Sequence, residues 1–168
     1  MKMKKFLPAA MLLLVALGSA VFAADSRLDV SSIIDKTTAE SILGEQVKPA
    51  TPRNLDGQDG YYSKCNYYAL KPGKALIIRL HQAAPGATDP QQELEMVRAS
   101  TGATKPVSGL GDRAEYSHGA DSNLPAHGLI LYVVKGNVLI TVGLNGLDDD
   151  SVALEKVRSV AQKILDKL

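Results

Sequence analysis

The stretch LILYVVKGNVLITVGL, residues 129–144, predicts a β-hairpin. At its centre, Gly136-Asn137 suits the positive φ angles of a two-residue turn, and an apolar, β-branched run lies on each side. The turn sets the register with Lys135 opposite Val138. One face then carries only aliphatic pairs, which are Val133 with Ile140, Leu131 with Val142, and Leu129 with Leu144. We expect another element of the fold to pack on this aliphatic face.

The C-terminal segment is suited to cover that face. Acidic residues at 148–150 precede a stripe of apolar residues at helical spacing, formed by Val157, Val160, Ile164 and Leu168. Carboxylates at this position favour both a helix cap and the positive end of the helix dipole. The pattern predicts a long helix over residues 149–167 that packs on the hairpin.

The rest of the chain predicts shorter elements. These are a helix near residues 37–43, strands at 61–70, 75–83 and 114–116, a helix from Asp89-Pro90 to about Ser100, and loops at 45–60 and 117–128. Strands joined by short turns favour antiparallel pairing, with the helices gathered on one face. We therefore expect an α+β fold, in which a long C-terminal helix and two shorter helices pack on an antiparallel sheet of about five strands.

The N-terminal segment is typical of a secretory signal peptide. Lys2, Lys4 and Lys5 precede a short apolar run, and Val21-Phe22-Ala23 offers a cleavage site. We expect cleavage after residue 23 to leave residues 24–168 as a single domain, periplasmic or secreted, with no membrane anchor. The peptide removes 3 of the 19 basic residues, and the remaining 16 face 18 acidic residues, so nucleic acid is not an expected partner.

The sequence contains no recognisable catalytic motif. Cys65 is the only cysteine, and it fits a buried apolar position, while pairing with another chain or a nucleophilic role stays open. A turn at residues 71–74 pairs positions whose numbers sum to about 145, which predicts that Cys65 lies near Leu80. His81 is then on the opposite face of the sheet, which argues against a Cys–His pair. The loop residues His118, Asp121 and His127 match no short zinc-binding spacing. We expect no catalytic residue, metal or cofactor; a metal-dependent enzyme that uses these loop residues is the third hypothesis.

The strand patterns place aromatic and polar side chains on the outer face of the sheet. Tyrosine supplies contact area and a hydroxyl group at low entropic cost, and such strips bind sugars, peptides or proteins. The alternative is ordinary cross-strand pairing on a half-exposed sheet. Our leading hypothesis is a binding module for an unknown protein or small molecule, and the second is a small-molecule or lipid carrier with a cavity beneath the C-terminal helix. The candidate binding residues are Tyr62, Tyr68, Arg79, His81 and Tyr132.

Several short stretches together resemble a group of small bacterial domains. The matching stretches are Ile42-Leu43-Gly44, Cys65-Asn66-Tyr67, Gly109–Asp112 before Ala114 and Tyr116, Lys135-Gly136-Asn137, and the C-terminal helix. The chain resembles secreted or lipid-anchored domains of unknown function, which are similar to the extracellular sensor domains of some actinobacterial receptor kinases. The resemblance implies an α+β sandwich and an extracytoplasmic binding or sensing role. It supplies no catalytic residues.

Overall fold

The computed structural model describes residues 27–118 and 128–168. The predicted signal peptide, residues 1–23, lies outside the described residues, and the predicted loop at 117–128 lies largely outside them. In the described ranges, no helix has both the length and the apolar character needed to cross a membrane.

Within these ranges the chain forms four helices and seven strands. In chain order they are α1 (Val30–Ile33), α2 (Lys36–Leu43), β1 (Arg53–Asp56), β2 (Gly60–Tyr68), β3 (Ala75–Ala83), α3 (Pro90–Thr101), β4 (Lys105–Pro106), β5 (Arg113–His118), β6 (Gly128–Lys135), β7 (Val138–Asn145) and α4 (Asp150–Leu165).

The strands form one antiparallel sheet in the order β1-β2-β3-β7-β6-β5-β4. The α+β class and the antiparallel pairing are therefore confirmed, and the β6–β7 hairpin has the predicted register, with Lys135 opposite Val138. The expectation of about five strands is wrong, because the sheet also contains β1 and β4. Both are short edge strands whose residues are all exposed, so they lack the alternating apolar pattern that identifies a strand.

The inner face of the sheet carries the main core. Helix α4 packs on β6 and β7, as the sequence predicts, and its residues Val157, Val160 and Ile164 have no exposed surface. Helices α1 and α2 cover neighbouring strands on the same side. Asp149 caps α4 by accepting hydrogen bonds from the backbone N–H groups of residues 151 and 152. Asp35 caps α2 by accepting a hydrogen bond from the backbone N–H of Thr38.

Helix α3 lies on the opposite, outer face, so the expectation that all helices gather on one face is wrong. Asp89 caps α3 and Pro90 occupies its first turn, as predicted. Leu94 of this helix is fully buried in a second, smaller core with residues of β6 and β7. Both faces of the central strands are therefore covered, which explains why β6 is buried along almost its whole length.

The β2–β3 register decides which side chains share a face. Cys65 lies opposite Ile78 rather than near Leu80 as expected, a slip of two residues that leaves every side chain on its predicted face. Cys65 is buried in the main core, and His81 is on the outer face, so the predicted separation of these two residues is confirmed. Burial raises the pKa of the Cys65 thiol, which disfavours the thiolate that a nucleophile needs.

Candidate functional site

Helix α3 divides the outer face of the sheet into a covered half and an open half. The covered half spans β7, β6 and β5, where the second core excludes water. Its members are Leu94, Ile130, Tyr132, Val134 and Leu139, with Val97 packed beside them. The open half spans β1, β2 and β3, and we call it the open outer face.

This division separates the five residues predicted to bind a ligand. Tyr132 is 5% exposed and His81 is 7% exposed, so both belong to the covered half or its border. Tyr62 lies beside His81 and is partly buried. Only Arg79 and Tyr68 are exposed on the open outer face, and the predicted set therefore does not form one continuous surface.

His81 joins α3 to the sheet. Its Nδ1 atom lies 3.0 Å from both carboxylate oxygens of Glu93 on α3. The ring of Tyr62 stacks on the imidazole, with 4.2 Å between ring centroids and 1° between the planes. The Tyr62 hydroxyl donates to Asp59; burial, and next the neighbouring Asp59 carboxylate, raise the pKa of Tyr62 to about 12. These contacts enclose the imidazole, and their direct effect is to fasten the start of α3.

A second polar network fastens the other end of α3. Glu115, which is 7% exposed, accepts hydrogen bonds from Thr104 and from the Nε and Nη2 atoms of Arg113, at 2.9 and 2.6 Å for the arginine. Arg98 of α3 lies 3.3 Å from the same carboxylate. Burial raises the pKa of Glu115, but these hydrogen bonds and the two guanidinium charges outweigh it and hold the pKa below its usual value.

The lowered pKa of Glu115 predicts a specific pH dependence. A depressed folded-state pKa stabilises the fold above the ordinary glutamate pKa of about 4.3, and this contribution is lost as the pH falls through the folded value. Glu115→Gln should lower the free energy of unfolding by about 1–3 kcal/mol at pH 7, since it removes charge-assisted hydrogen bonds. The difference from the wild type should shrink below about pH 4. Urea denaturation at several pH values measures this.

Glu95→Gln is the matched control for that experiment. Glu95 contacts the same Arg98 and Arg113, but its side chain is 53% exposed. Glu95→Gln should therefore lower the free energy of unfolding less than Glu115→Gln does. It should also change the pH dependence of stability less. Equal losses from both variants at every pH would contradict the role given to Glu115.

A row of three cations crosses the open outer face, and we call Arg53, Lys64 and Arg79 the basic row. Arg53 pairs with Lys64 across β1 and β2, and Lys64 pairs with Arg79 across β2 and β3, so the three residues share one register. Among the described residues, none of the three forms an ion pair. Like charges placed directly opposite each other destabilise a sheet.

A shallow groove lies beside the basic row at the edge of the sheet. The backbone N–H of Lys48 donates to Tyr68, and β1 pairs with the start of β2, so two segments border the same strand. Proline residues between these segments offer no N–H for pairing, which favours a gap in the edge. The groove has a volume of about 290 Å³, and its lining residues are Lys48, Pro49, Thr51, Arg53, Lys64, Asn66 and Tyr68.

The groove combines cations with hydrogen-bonding groups and an aromatic ring. Lys48 is exposed and, in the part of the chain that the structure describes, its side chain joins no ion pair. The Asn66 amide donates to the Tyr68 hydroxyl over 3.0 Å, while its Oδ1 atom is buried and accepts no hydrogen bond from the described residues. Tyr68 remains 48% exposed at the rim. This arrangement suits a ligand that carries both negative charge and hydroxyl groups.

The other hypotheses receive less support from the structure. His118 is exposed and lies 3.6 Å from Asp150, while Asp121 and His127 lie outside the described residues. Over the ranges 27–118 and 128–168, no group of three His, Cys, Asp or Glu side chains could hold a metal ion. For the carrier hypothesis, α4 does not line any of the three cavities described in those ranges, and its sheet-facing side chains are buried in the main core.

Sequence reasoning missed Arg53 and Lys48 as site residues, and it placed Lys64 with Asn66 in the outer-face strip without including Lys64 among the candidate binding residues. Arg53 belongs to the β1 edge strand, which lies within residues 45–60, a range that the sequence predicts to be a loop. The expected β2–β3 register also placed Lys64 opposite His81, whereas it lies opposite Arg79. A usable signal was the alternation of Lys64 and Asn66 with buried residues, which already placed both on the outer face.

A comparison of this chain with family models, curated proteins and solved structures found no match. The candidate site therefore rests on its own geometry.

Proposed function

We propose that this chain is a periplasmic or secreted, non-catalytic binding module that holds an anionic partner on its open outer face. The observation that carries the proposal is the basic row, whose three cations share one register and form no ion pair among the described residues. The extracytoplasmic location rests on the signal-peptide pattern of residues 1–23.

The charge of the basic row is local, because the whole chain is nearly neutral. Its formal net charge is +1, with 19 basic and 18 acidic residues. Elsewhere in the described chain, cations such as Arg27, Lys135 and Arg113 lie within 3.0 Å of a carboxylate. A sheet that aligns like charges without such partners is stabilised when an anion binds across them.

The groups best suited to acid, base or nucleophilic chemistry support a non-catalytic role. His81 is enclosed by Tyr62 and Glu93, and the Cys65 thiol is buried in the main core with a raised pKa. Glu115 is held by two arginines. These groups stabilise the packing of helices and strands on each other, whereas the basic row faces solvent.

Replacement of two cations of the basic row should weaken binding without unfolding the protein. Lys64→Gln combined with Arg79→Gln should weaken binding to polyanions, such as polygalacturonate or polyglutamate, by about tenfold or more. The same variant should keep or slightly raise the melting temperature, because it relieves a like-charge pair. Calorimetric titration at low salt and thermal unfolding measure the two effects.

The control carries the same change in net charge on the opposite side of the sheet. Lys163→Gln with Lys167→Gln removes two exposed lysines near the C-terminal end of α4. If this control weakens polyanion binding as much as the first variant does, net charge rather than the open outer face governs binding. Absence of binding to every polyanion by the wild type would remove the proposed function.

A further inference from the structure

We infer that the anionic partner is an acidic saccharide, whose charged groups lie on the basic row while a neighbouring sugar ring occupies the groove beside Tyr68. This inference rests on the proposed function and narrows it to one ligand class. It follows from the spacing of the cations, the polar lining of the groove and the exposure of one aromatic ring.

The basic row fits an extended ligand with repeated charges. Adjacent strands lie about 4.8 Å apart, so Arg53, Lys64 and Arg79 spread positive charge over about 10 Å across the sheet. Two of the three are arginines, whose planar guanidinium groups bind carboxylate, sulfate or phosphate through paired hydrogen bonds. One small anion does not span about 10 Å, whereas a chain of acidic sugars repeats its charged groups and can contact all three cations.

The groove supplies the contacts that an uncharged sugar hydroxyl needs. Thr51, Asn66 and Tyr68, which carry a hydroxyl, an amide and a phenol, are among the residues that line the groove. The Asn66 Oδ1 atom is buried and accepts no hydrogen bond from the described residues, so its capacity as an acceptor is unsatisfied beside the groove. The exposed Tyr68 ring offers a flat apolar surface, with a polar hydroxyl at its end, to the apolar face of a sugar ring.

The same surface fits an acidic peptide less well. Extended peptides bind by adding a strand to a sheet edge. Here the edge strand β1 has only four residues, follows Pro52 and carries charged residues at both ends. Short, charged edges next to proline resist strand addition. The polar side chains of the groove, rather than backbone pairing, therefore determine recognition.

The test compares ligands that separate charge from sugar. The acidic saccharide probe is an oligogalacturonate, which has a carboxylate on every ring. Its methyl-esterified form keeps the rings and removes the charge, and polyglutamate keeps carboxylates and removes the rings. The full-length protein should bind the oligogalacturonate about tenfold more tightly than either comparison ligand, by calorimetric titration. Binding should weaken as salt is raised.

Tyr68→Ala distinguishes the inference from the proposed function. The variant should weaken oligogalacturonate binding about fivefold or more and leave polyglutamate binding unchanged. Equal binding of both polyanions, with equal effects of Tyr68→Ala, would overturn the saccharide assignment and leave the proposed function standing. Tighter binding to phosphatidylglycerol vesicles or to single-stranded DNA than to the oligogalacturonate would also overturn it. If no polyanion binds, both proposals fail.

Discussion

Leu94→Ala should release α3 from the sheet and lower the free energy of unfolding by about 2–5 kcal/mol. Leu94 has no exposed surface and is the residue through which α3 enters the second core, beside Tyr132 and Leu139. The substitution leaves a cavity on the outer face and spares the main core on the other side of the sheet. Hydrogen exchange should therefore accelerate in α3 more than in α4, and denaturant unfolding should give the loss in stability.

Met96→Ala is the matched control on the same helix. Met96 is 58% exposed, so its truncation should change the stability by less than about 0.5 kcal/mol and leave hydrogen exchange in α3 unaltered. Similar losses from both variants would contradict the assignment of Leu94 as the anchor of α3. Binding by the basic row should survive Leu94→Ala, because none of Arg53, Lys64 and Arg79 belongs to the second core.

Ile140→Ala should destabilise the whole domain by about 2–5 kcal/mol. Ile140 has no exposed surface and lies between Leu80 and Val133 across three neighbouring strands, on the face that α4 covers. Since this face is shared by the central strands and three helices, the loss should appear as a single cooperative unfolding transition at lower denaturant. Circular dichroism and hydrogen exchange should report the same midpoint shift.

Thr141→Ala serves as the control for Ile140→Ala. Thr141 is the next residue of β7, points to the opposite face and is partly exposed. Thr141→Ala should lower the free energy of unfolding by less than about 1 kcal/mol, chiefly because alanine has a lower strand propensity. A cost for Thr141→Ala that matched that of Ile140→Ala would show that the main core is not the principal source of stability.

The elements that the sequence predicted are those with a strong internal pattern. The β6–β7 hairpin has a turn dipeptide at Gly136-Asn137 and aliphatic residues on both sides, and α4 has an apolar stripe with an acidic start, so local and tertiary preferences agree. The strands β1 and β4 have neither signal, since their exposed residues pair only because β2 and β5 offer free edges. Such pairing is decided by tertiary structure.

The candidate site was less predictable than the fold. The aromatic content of the strands drew attention to Tyr62 and Tyr132, but sequence periodicity does not show which residues of a sheet face a helix will cover. Helix α3 buries Tyr132 and His81, while Arg79 and Tyr68 stay exposed. The site depends on the strand register, which aligns three cations from separate segments. The register predicted from the sequence is wrong by two residues and therefore does not show this alignment.

The most direct test of the open outer face as a binding site is an NMR titration of the nitrogen-15-labelled protein with oligogalacturonate. We expect the largest chemical-shift changes at Arg53, Lys64, Arg79 and Tyr68, where they should saturate together, while signals from α3 and α4 stay constant. Saturable changes centred on α4 or on the covered half, with the basic row unaffected, would contradict this expectation.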